Sequence, residues 1–267
     1  LHSYKHPIHE IRLENIAAQH YPQLSISTSS KVLPEIREYE RTSTTVLNAY
    51  VKPLFSRYVK EIKEKLEPLG FRKELFLLLS NGGLVPAKVG ESFPVRSIES
   101  GPVGGVMLAQ NIGKLTAGEN QDMLSFDMGG TTAKACLIKN GTIPKSKDYE
   151  VARMERFKKG SGIPVVTPVI ELLEIGAGGG SIARINEMGL LQVGPQSSGA
   201  DPGPACYGRG GATPCVTDAD LVLGYLDPNF FLGGEMKLDR EAALTAVDKN
   251  IATPLRISAT EAAYGIH

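Results

Sequence analysis

The sequence predicts an α/β protein, because short apolar runs of strand length alternate with segments whose apolar residues recur at helical spacing. The strand-like runs are residues 75–80, 123–127 and 133–139, and helical spacing is clearest over residues 34–69. No repeat of 20–50 residues is present, which argues against a solenoid or a propeller. With 267 residues, the chain is long enough for one large domain or two small ones.

The first half is predicted to be mainly helical. Its elements are a helix with a short extended piece (1–30), a long helix (34–69), a strand (75–80), a turn (81–83) and a helix (103–112). Pro53 should kink or divide the long helix and Gly70 should end it. The strand lacks alternation, which is typical of buried strands in parallel sheets. Pro102 should occupy the first position of the last helix.

The second half mixes strands and helices. Its elements are a buried strand (123–127), a glycine turn, a strand (133–139), a hairpin turn (140–141), a strand (165–175), an ordered loop (193–211) and two helices (217–225, 239–250). Ser258 and Glu261 form a capping-box pattern whose helix is still short when the chain stops. Since the first residue is Leu1, we expect a fragment with material missing on both sides.

Composition and charge narrow the function classes. Lysine plus arginine equals aspartate plus glutamate, at 29 each, so no long-range field attracts nucleic acid or an anionic membrane. No apolar run approaches the roughly 18 residues of a membrane span, and no signal peptide opens the chain. Cys136, Cys206 and Cys215 are not spaced as metal pairs and are typical of reduced thiols. We therefore expect a cytoplasmic protein without nucleic-acid or membrane partners.

The strongest chemical signal is a glycine turn between two predicted strands, with the sequence Asp127-Met-Gly129-Gly130-Thr131-Thr132. The glycines allow a tight turn whose N–H groups can face a phosphate, and the threonine hydroxyls can donate to its oxygens. Asp127 suits a hydrated Mg²⁺, which prefers hard oxygen ligands. A Walker A loop precedes a helix, and this turn does not. A phosphate site is favoured over a plain hairpin.

A second glycine-rich turn has the sequence Glu174-Ile-Gly176-Ala-Gly178-Gly179-Gly180-Ser181. Three consecutive glycines leave no side chain between the backbone and whatever lies above it. A nucleotide would fit there, and so would a close-packed neighbouring backbone. Glu174 could serve a metal or a water, and a salt bridge is the equal alternative.

Three weaker signals favour structural interpretations. Cys206 lies in the Gly/Pro-rich loop and is a poor candidate nucleophile, since no histidine lies between His20 and His267. Asp218 is favoured as a helix N-cap over a catalyst. The four histidines in residues 2–20 favour a partly solvated segment over a metal site.

These motifs resemble the hydantoinase A/oxoprolinase family, and the N-methylhydantoinase A branch in particular. The matching segments, in the family's order, are residues 36–41, 80–83, 99–105, 126–135, 174–181, 199–208 and 216–224. The first glycine turn also resembles the phosphate-binding hairpin of the actin, Hsp70 and sugar-kinase superfamily. Many family members have an aspartate at the position of Lys134. In having a lysine there, this chain resembles the N-methylhydantoinase branch.

The resemblance implies an actin-like, ribonuclease H-like ATPase lobe that is incomplete in this chain. Residues 1–70 would be a helical segment linking to an absent upstream lobe, and residues 71–267 a hydantoinase A domain truncated at its C-terminus. The implied activity is an ATP-dependent hydrolase that opens a hydantoin or 5-oxoproline ring after phosphorylation of the amide oxygen. ATP and Mg²⁺ are the implied cofactors. The implied partners are the cyclic amide, the upstream lobe and a hydantoinase B-type subunit or domain, and we expect the fragment to be inactive alone.

On this hypothesis Asp127 holds Mg²⁺ through water and is catalytic together with Glu174. The predicted nucleotide-binding residues are Gly129, Gly130, Thr131, Thr132, Lys134, Gly176, Gly178, Gly179, Gly180 and Ser181. Three alternatives stay open: an ATP-binding subunit of an acetone- or acetophenone-type carboxylase, a non-catalytic nucleotide-binding half-site, and a sugar- or acyl-kinase relative.

Overall fold

The computed structural model of the chain describes residues 2–152, 154 and 160–267. The described residues form two compact units. The first comprises those of Leu1–Ser125 and Cys136–Glu171, and the second comprises Phe126–Ala135 and Leu172–His267. The predicted boundary between residues 70 and 71 lies inside the first unit.

Helices and strands alternate along the chain, which confirms the α/β class. The α-helices are α1 (Ile8–His20), α2 (Ser29–Val32), α3 (Glu38–Leu66), α4 (Ala87–Ser92), α5 (Ser100–Ala117), α6 (Val216–Leu223), α7 (Arg240–Val247), α8 (Thr253–Leu255) and α9 (Ala259–Ile266). The strands are β1 (Phe76–Leu78), β2 (Leu84–Pro86), β3 (Met123–Met128), β4 (Ala133–Ile138), β5 (Lys145–Val151), β6 (Ile163–Ile170), β7 (Leu173–Ile175), β8 (Ser181–Ile185) and β9 (Leu191–Ser197). Among the described residues, no helix is long and apolar enough to cross a membrane.

The long helix α3 organises the first unit through polar side chains on one face. Thr44 and Asn48 are four residues apart, so both point to the same side of the helix, and both are buried. The Thr44 hydroxyl accepts from the N–H of Val166 in β6 at 3.0 Å. The Asn48 amide donates to the carbonyl of Ser92 at 3.2 Å, and its oxygen accepts from the N–H of Val95 at 3.4 Å. These bonds join α3 to β6 and to the segment after α4.

Two predictions for the first unit, the environment of residues 75–80 and the position of Pro102, were wrong in detail. The strand at residues 75–80 is present as β1, but it pairs antiparallel with β2 and is only partly buried. The reason is the short turn at residues 81–83, because strands joined by so few residues must run antiparallel. Helix α5 begins at Ser100, so Pro102 is its third residue and not its first. Of the two outcomes predicted for Pro53, division of the helix does not occur, because Pro53 lies inside α3.

The core of the second unit lies between α6, α7, α9 and the β8–β9 hairpin. Its buried residues include Ala219 of α6, Val247 of α7 and Ala263 of α9. The helix starts follow the sequence signals: Asp239 caps α7, and Ser258 forms the predicted capping box with Glu261 at the start of α9. This helical layer fixes the beginning of α6, which contacts the glycine-rich turn.

Strands β3, β4 and β7 form a three-stranded sheet in that order. Strand β4 pairs antiparallel with β7, so that Lys134 lies opposite Glu174 and Ala135 opposite Leu173. The prediction of a strand at residues 123–127 is confirmed as β3, but the predicted burial is wrong, since Leu124 is 66% exposed and Phe126 is 57% exposed.

Candidate functional site

The first glycine turn, residues 127–132, joins β3 to β4 as a tight hairpin. The N–H of Gly129 donates to the carbonyl of Thr132 at 2.9 Å, which closes the turn over Gly130 and Thr131. Gly130 and Thr131 are both exposed. This hairpin confirms the strand–turn–strand pattern that distinguishes the segment from a Walker A loop.

The second glycine turn packs backbone to backbone on this hairpin. The N–H of Gly179 donates to the carbonyl of Gly129 at 2.9 Å, and the N–H of Gly180 donates to the carbonyl of Gly130 at 2.7 Å. A Cβ on Gly178 would lie 2.6 Å from the carbonyl oxygen of Gly129, closer than real Cβ contacts. The glycine run is therefore needed for close approach of two backbones.

These contacts bear on the two interpretations left open for residues 176–181. Gly176, Gly178, Gly180 and Ser181 are buried. The N–H of Gly178 donates to the Ser181 hydroxyl at 2.8 Å, and those of Gly179 and Gly180 donate to the hairpin. The N–H groups of Gly178, Gly179 and Gly180 are already paired within the protein. These contacts support the interpretation of this turn as a close-packed backbone.

The same contacts orient the hairpin's remaining donors. In a trans peptide the C=O and the following N–H point in opposite directions. Because the carbonyls of Gly129 and Gly130 point at the second turn, the next N–H groups, those of Gly130 and Thr131, point away from it. Within the described chain, no oxygen accepts from either N–H. Two adjacent, outward-facing N–H groups form a concavity suited to an anion.

Charged side chains lie in one row across the sheet beside the hairpin. Counting back from the Gly129–Thr132 bond places Asp127 opposite Lys134, and Lys134 is opposite Glu174. Directly opposite residues in antiparallel strands share a face. Asp127 and Glu174 are exposed, and Lys134 between them is partly buried. Alternating charges in such a row stabilise one another, which supports the ion-pair interpretation of Glu174 and leaves Asp127 next to the turn.

Two residues support the second glycine turn from behind: Thr217, which the sequence placed only at the start of a helix, and Ser198, which it did not single out. Thr217 donates from both its N–H and its hydroxyl to the carbonyl of Gly179, each at 2.8 Å. Ser198 donates from its N–H at 2.8 Å and from its hydroxyl at 3.3 Å to the carbonyl of Gly180. The first N–H groups of a helix lack intrahelical partners, and Thr217 is the second residue of α6. The sequence predicted a helix start near Thr217, and therefore unpaired N–H groups, but it did not indicate which carbonyl would accept from them.

The predicted N-cap at Asp218 was wrong by three residues. Cys215 is the N-cap of α6, and Asp218 is the third helical residue of a capping box. The fully buried carboxylate accepts three backbone N–H bonds, from Ala205 at 3.1 Å, Cys206 at 2.8 Å and Cys215 at 2.9 Å. Asp218 therefore ties the Gly/Pro-rich loop to the start of α6, because a buried carboxylate requires such donors.

The thiols beside Asp218 are poor nucleophiles, as expected. Burial, and then the Asp218 carboxylate, raise the pKa of Cys206 well above its usual range. Burial raises the pKa of Cys215 to about 11, although a hydrogen bond with Ser198 opposes the shift. The thiolate is the reactive form, so burial disfavours nucleophilic attack by either group.

No described group of three or more His, Cys, Asp and Glu side chains could by itself hold a metal ion. Mg²⁺ commonly keeps several waters and binds through one or two carboxylates and substrate phosphates. A magnesium site in which Asp127 is the protein carboxylate is compatible with that coordination. The histidines within residues 2–20 provide no such group.

Several known proteins are similar to this chain in sequence or in structure. The alpha subunit of caprolactamase from Pseudomonas jessenii is 41% identical over 268 residues, covering 99% of this chain and 36% of the relative. The crystal structure of the ATP-dependent caprolactamase from that organism has a TM-score of 0.73 at 40% identity, covering 99% of this chain and 37% of the other. A nucleotide-free structure of acetone carboxylase has a TM-score of 0.76 at 29% identity, covering 100% and 36%.

The chain thus spans little more than a third of the length of these relatives. The sequence model described as Hydantoinase/oxoprolinase matches residues 41–267, which include every segment of the site. The chain belongs to the hydantoinase/oxoprolinase family.

Proposed function

We propose that this chain forms the phosphate-binding part of an ATP-dependent enzyme that opens cyclic amides. The single observation that carries the proposal is the pair of exposed N–H groups of Gly130 and Thr131, aimed outward by the anchored carbonyls of the hairpin. Backbone N–H pairs of this kind bind phosphate oxygens without any positively charged side chain.

The residues present fit a nucleotide phosphate and a hydrated magnesium ion. The N–H groups of Gly130 and Thr131 would donate to phosphate oxygens, and the Thr131 and Thr132 hydroxyls lie in the same turn. The exposed carboxylate of Asp127 would hold a metal-bound water, and Lys134 lies across from it. When bound, ATP with Mg²⁺ supplies the phosphoryl group that activates the amide oxygen.

The contribution of the chain's own residues is positioning and charge. Phosphoryl transfer needs little covalent chemistry from the protein, so fixed donors aimed at the phosphate account for much of the rate. The anchored carbonyls of Gly129 and Gly130 keep these donors in place before any ligand binds. Glu174 is proposed to act through Lys134, opposite it on β4, and not on the phosphate directly.

We infer a cyclic amide as the substrate class from sequence identity. Caprolactamase is 40–41% identical to this chain, whereas the acetone carboxylase structure is 29% identical. We propose an actin-like ATPase lobe, completed by an upstream lobe and by a second subunit or domain. The carboxylase alternative is retained, since that structure has the higher TM-score of 0.76. Ring opening coupled to ADP formation by the complete enzyme would favour the amidase, and a phosphorylated product with an intact ring would favour a kinase.

Substituting Asp127→Asn is expected to lower Mg²⁺-ATP affinity by about 10- to 100-fold, the usual cost of losing an outer-sphere partner of a metal. Calorimetric titration of the wild type and the variant measures the effect, which should disappear when Mg²⁺ is omitted. Asp122→Asn is the matched control, because that carboxylate accepts from the N–H of Asn140 at 2.8 Å, outside the hairpin. Equal affinities for Asp127→Asn and the wild type would remove Asp127 from the site.

A further inference from the structure

A chain of hydrogen-bonded peptide groups links the start of α6 to the outer surface of the hairpin. Thr217 donates twice to the carbonyl of Gly179, each time at 2.8 Å. The N–H of that same peptide group belongs to Gly180 and donates to the carbonyl of Gly130 at 2.7 Å. The N–H of the Gly130 peptide group belongs to Thr131, one of the two outward donors.

We propose that Thr217 is a positioning residue that orients and polarises the Thr131 N–H through this relay. Thr217 is only 7% exposed, so its bonds to the Gly179 carbonyl are largely shielded from water on the Thr217 side. Successive hydrogen bonds in a low-dielectric interior strengthen one another, and each peptide group passes the polarisation along its plane. The expected effect of Thr217 on ATP binding rests on the proposed function of the hairpin. The mechanical link, by which Thr217 orders residues 127–135, does not.

Ser198 provides an internal comparison because its two bonds lead elsewhere. It donates to the carbonyl of Gly180, and the N–H of that peptide group belongs to Ser181. The Ser181 N–H returns to the carbonyl of Gly178 at 2.9 Å, within the same turn. Thr217 and Ser198 therefore make similar contacts with the glycine turn, but the peptide group bonded by Thr217 continues directly to the hairpin.

Gly179 offers an independent test of the contact. A Cβ added there would lie 2.8 Å from the Thr217 hydroxyl oxygen, and the next atom, the Gly129 carbonyl oxygen, is 3.9 Å away. The methyl group of Gly179→Ala should therefore push against the Thr217 hydroxyl alone and disturb its bond to the Gly179 carbonyl. Adding Thr217→Ala removes that atom, so the double variant should recover hairpin order relative to Gly179→Ala alone.

The experiment is hydrogen exchange by mass spectrometry on residues 127–135 and 176–181 without nucleotide, followed by Mg²⁺-ATP titration. Thr217→Val removes one buried hydrogen bond, so exchange in residues 127–135 should be about fivefold faster. Thr217→Ser keeps the hydroxyl and should match the wild type, and Ser198→Ala should alter residues 127–135 less than twofold. Val222→Ala, farther along α6, controls for general loss of stability.

The inference would be overturned if the exchange rate of residues 127–135 were the same in Thr217→Val, Thr217→Ser and Val222→Ala as in the wild type. Equal acceleration by Ser198→Ala or Val222→Ala would also overturn it, since the effect would then be general. If the exchange pattern is as expected and Mg²⁺-ATP affinity falls about fivefold in Thr217→Val, both claims are supported. If the exchange pattern is as expected but the wild type binds no ATP, the mechanical link stands and the proposed function fails.

Discussion

Gly178→Ala is expected to reduce Mg²⁺-ATP affinity by about 100-fold and to destabilise the second unit by about 1–3 kcal/mol. The added Cβ would lie 2.6 Å from the Gly129 carbonyl oxygen, 2.6 Å from the Thr131 nitrogen and 2.7 Å from the Thr131 carbonyl carbon. All three are backbone atoms of the hairpin, so no side-chain rotation relieves the contact. The two backbones must separate by roughly 1 Å to reach ordinary contact distances.

That separation breaks the bonds that aim the outward N–H groups, so binding suffers more than stability. Calorimetry and thermal denaturation measure the two effects. Gly105→Ala is the control, because Gly105 is an exposed residue of α5 and an added Cβ meets nothing within 4 Å. Alanine is also the better helix former there. Wild-type affinity in a folded Gly178→Ala protein would contradict the backbone-contact account.

Asp218→Asn is expected to lower the free energy of unfolding of the second unit by about 3 kcal/mol or more. One carboxylate oxygen accepts from Cys206, and the other accepts from both Ala205 and Cys215. An amide has one oxygen, so in either orientation its NH₂ group faces at least one backbone N–H. The variant loses at least one charge-assisted bond and sets two donors against each other in a fully buried place.

Urea denaturation of the variant and the wild type measures the loss. Asp220→Asn is the matched control, since Asp220 is two residues farther along α6 and its carboxylate lies 2.7 Å from His267 at the surface. Exposed pairs of this kind contribute about 1 kcal/mol or less. A free energy of unfolding for Asp218→Asn that equals that of Asp220→Asn would show that the three bonds are not what holds the loop.

The hairpin could be predicted from sequence because its signals are local. An apolar strand before Asp127, two glycines and a second strand specify the turn, and the structure has it with the expected ends. The role of Gly178 to Gly180 could not be settled from sequence. A glycine run indicates close approach, but what approaches lies 49 residues earlier in the chain at Gly129.

The burial of side chains and their long-range hydrogen-bond partners also could not be predicted from the sequence. The apolar side chains of β3 predicted a buried strand, whereas Phe126 is 57% exposed. Asp218 carried a correct signal for the start of α6. Its position within the capping box, and its bonds to residues 205 and 206, depend on how a distant loop returns. The bonds from Thr217 to Gly179 could not be predicted because the acceptor lies in another segment.

The most direct measurement of the central claim is an NMR titration of the ¹⁵N-labelled protein with Mg²⁺-ATP, following the amides of Gly130, Thr131, Gly179 and Gly180. The first two N–H groups face outward and the last two are bonded to the hairpin carbonyls. We predict saturable shifts of the Gly130 and Thr131 amides, the largest in the second unit, with small shifts at Gly179 and Gly180. Saturable binding that leaves the Gly130 and Thr131 amides unmoved would contradict the account, and so would an absence of any shift.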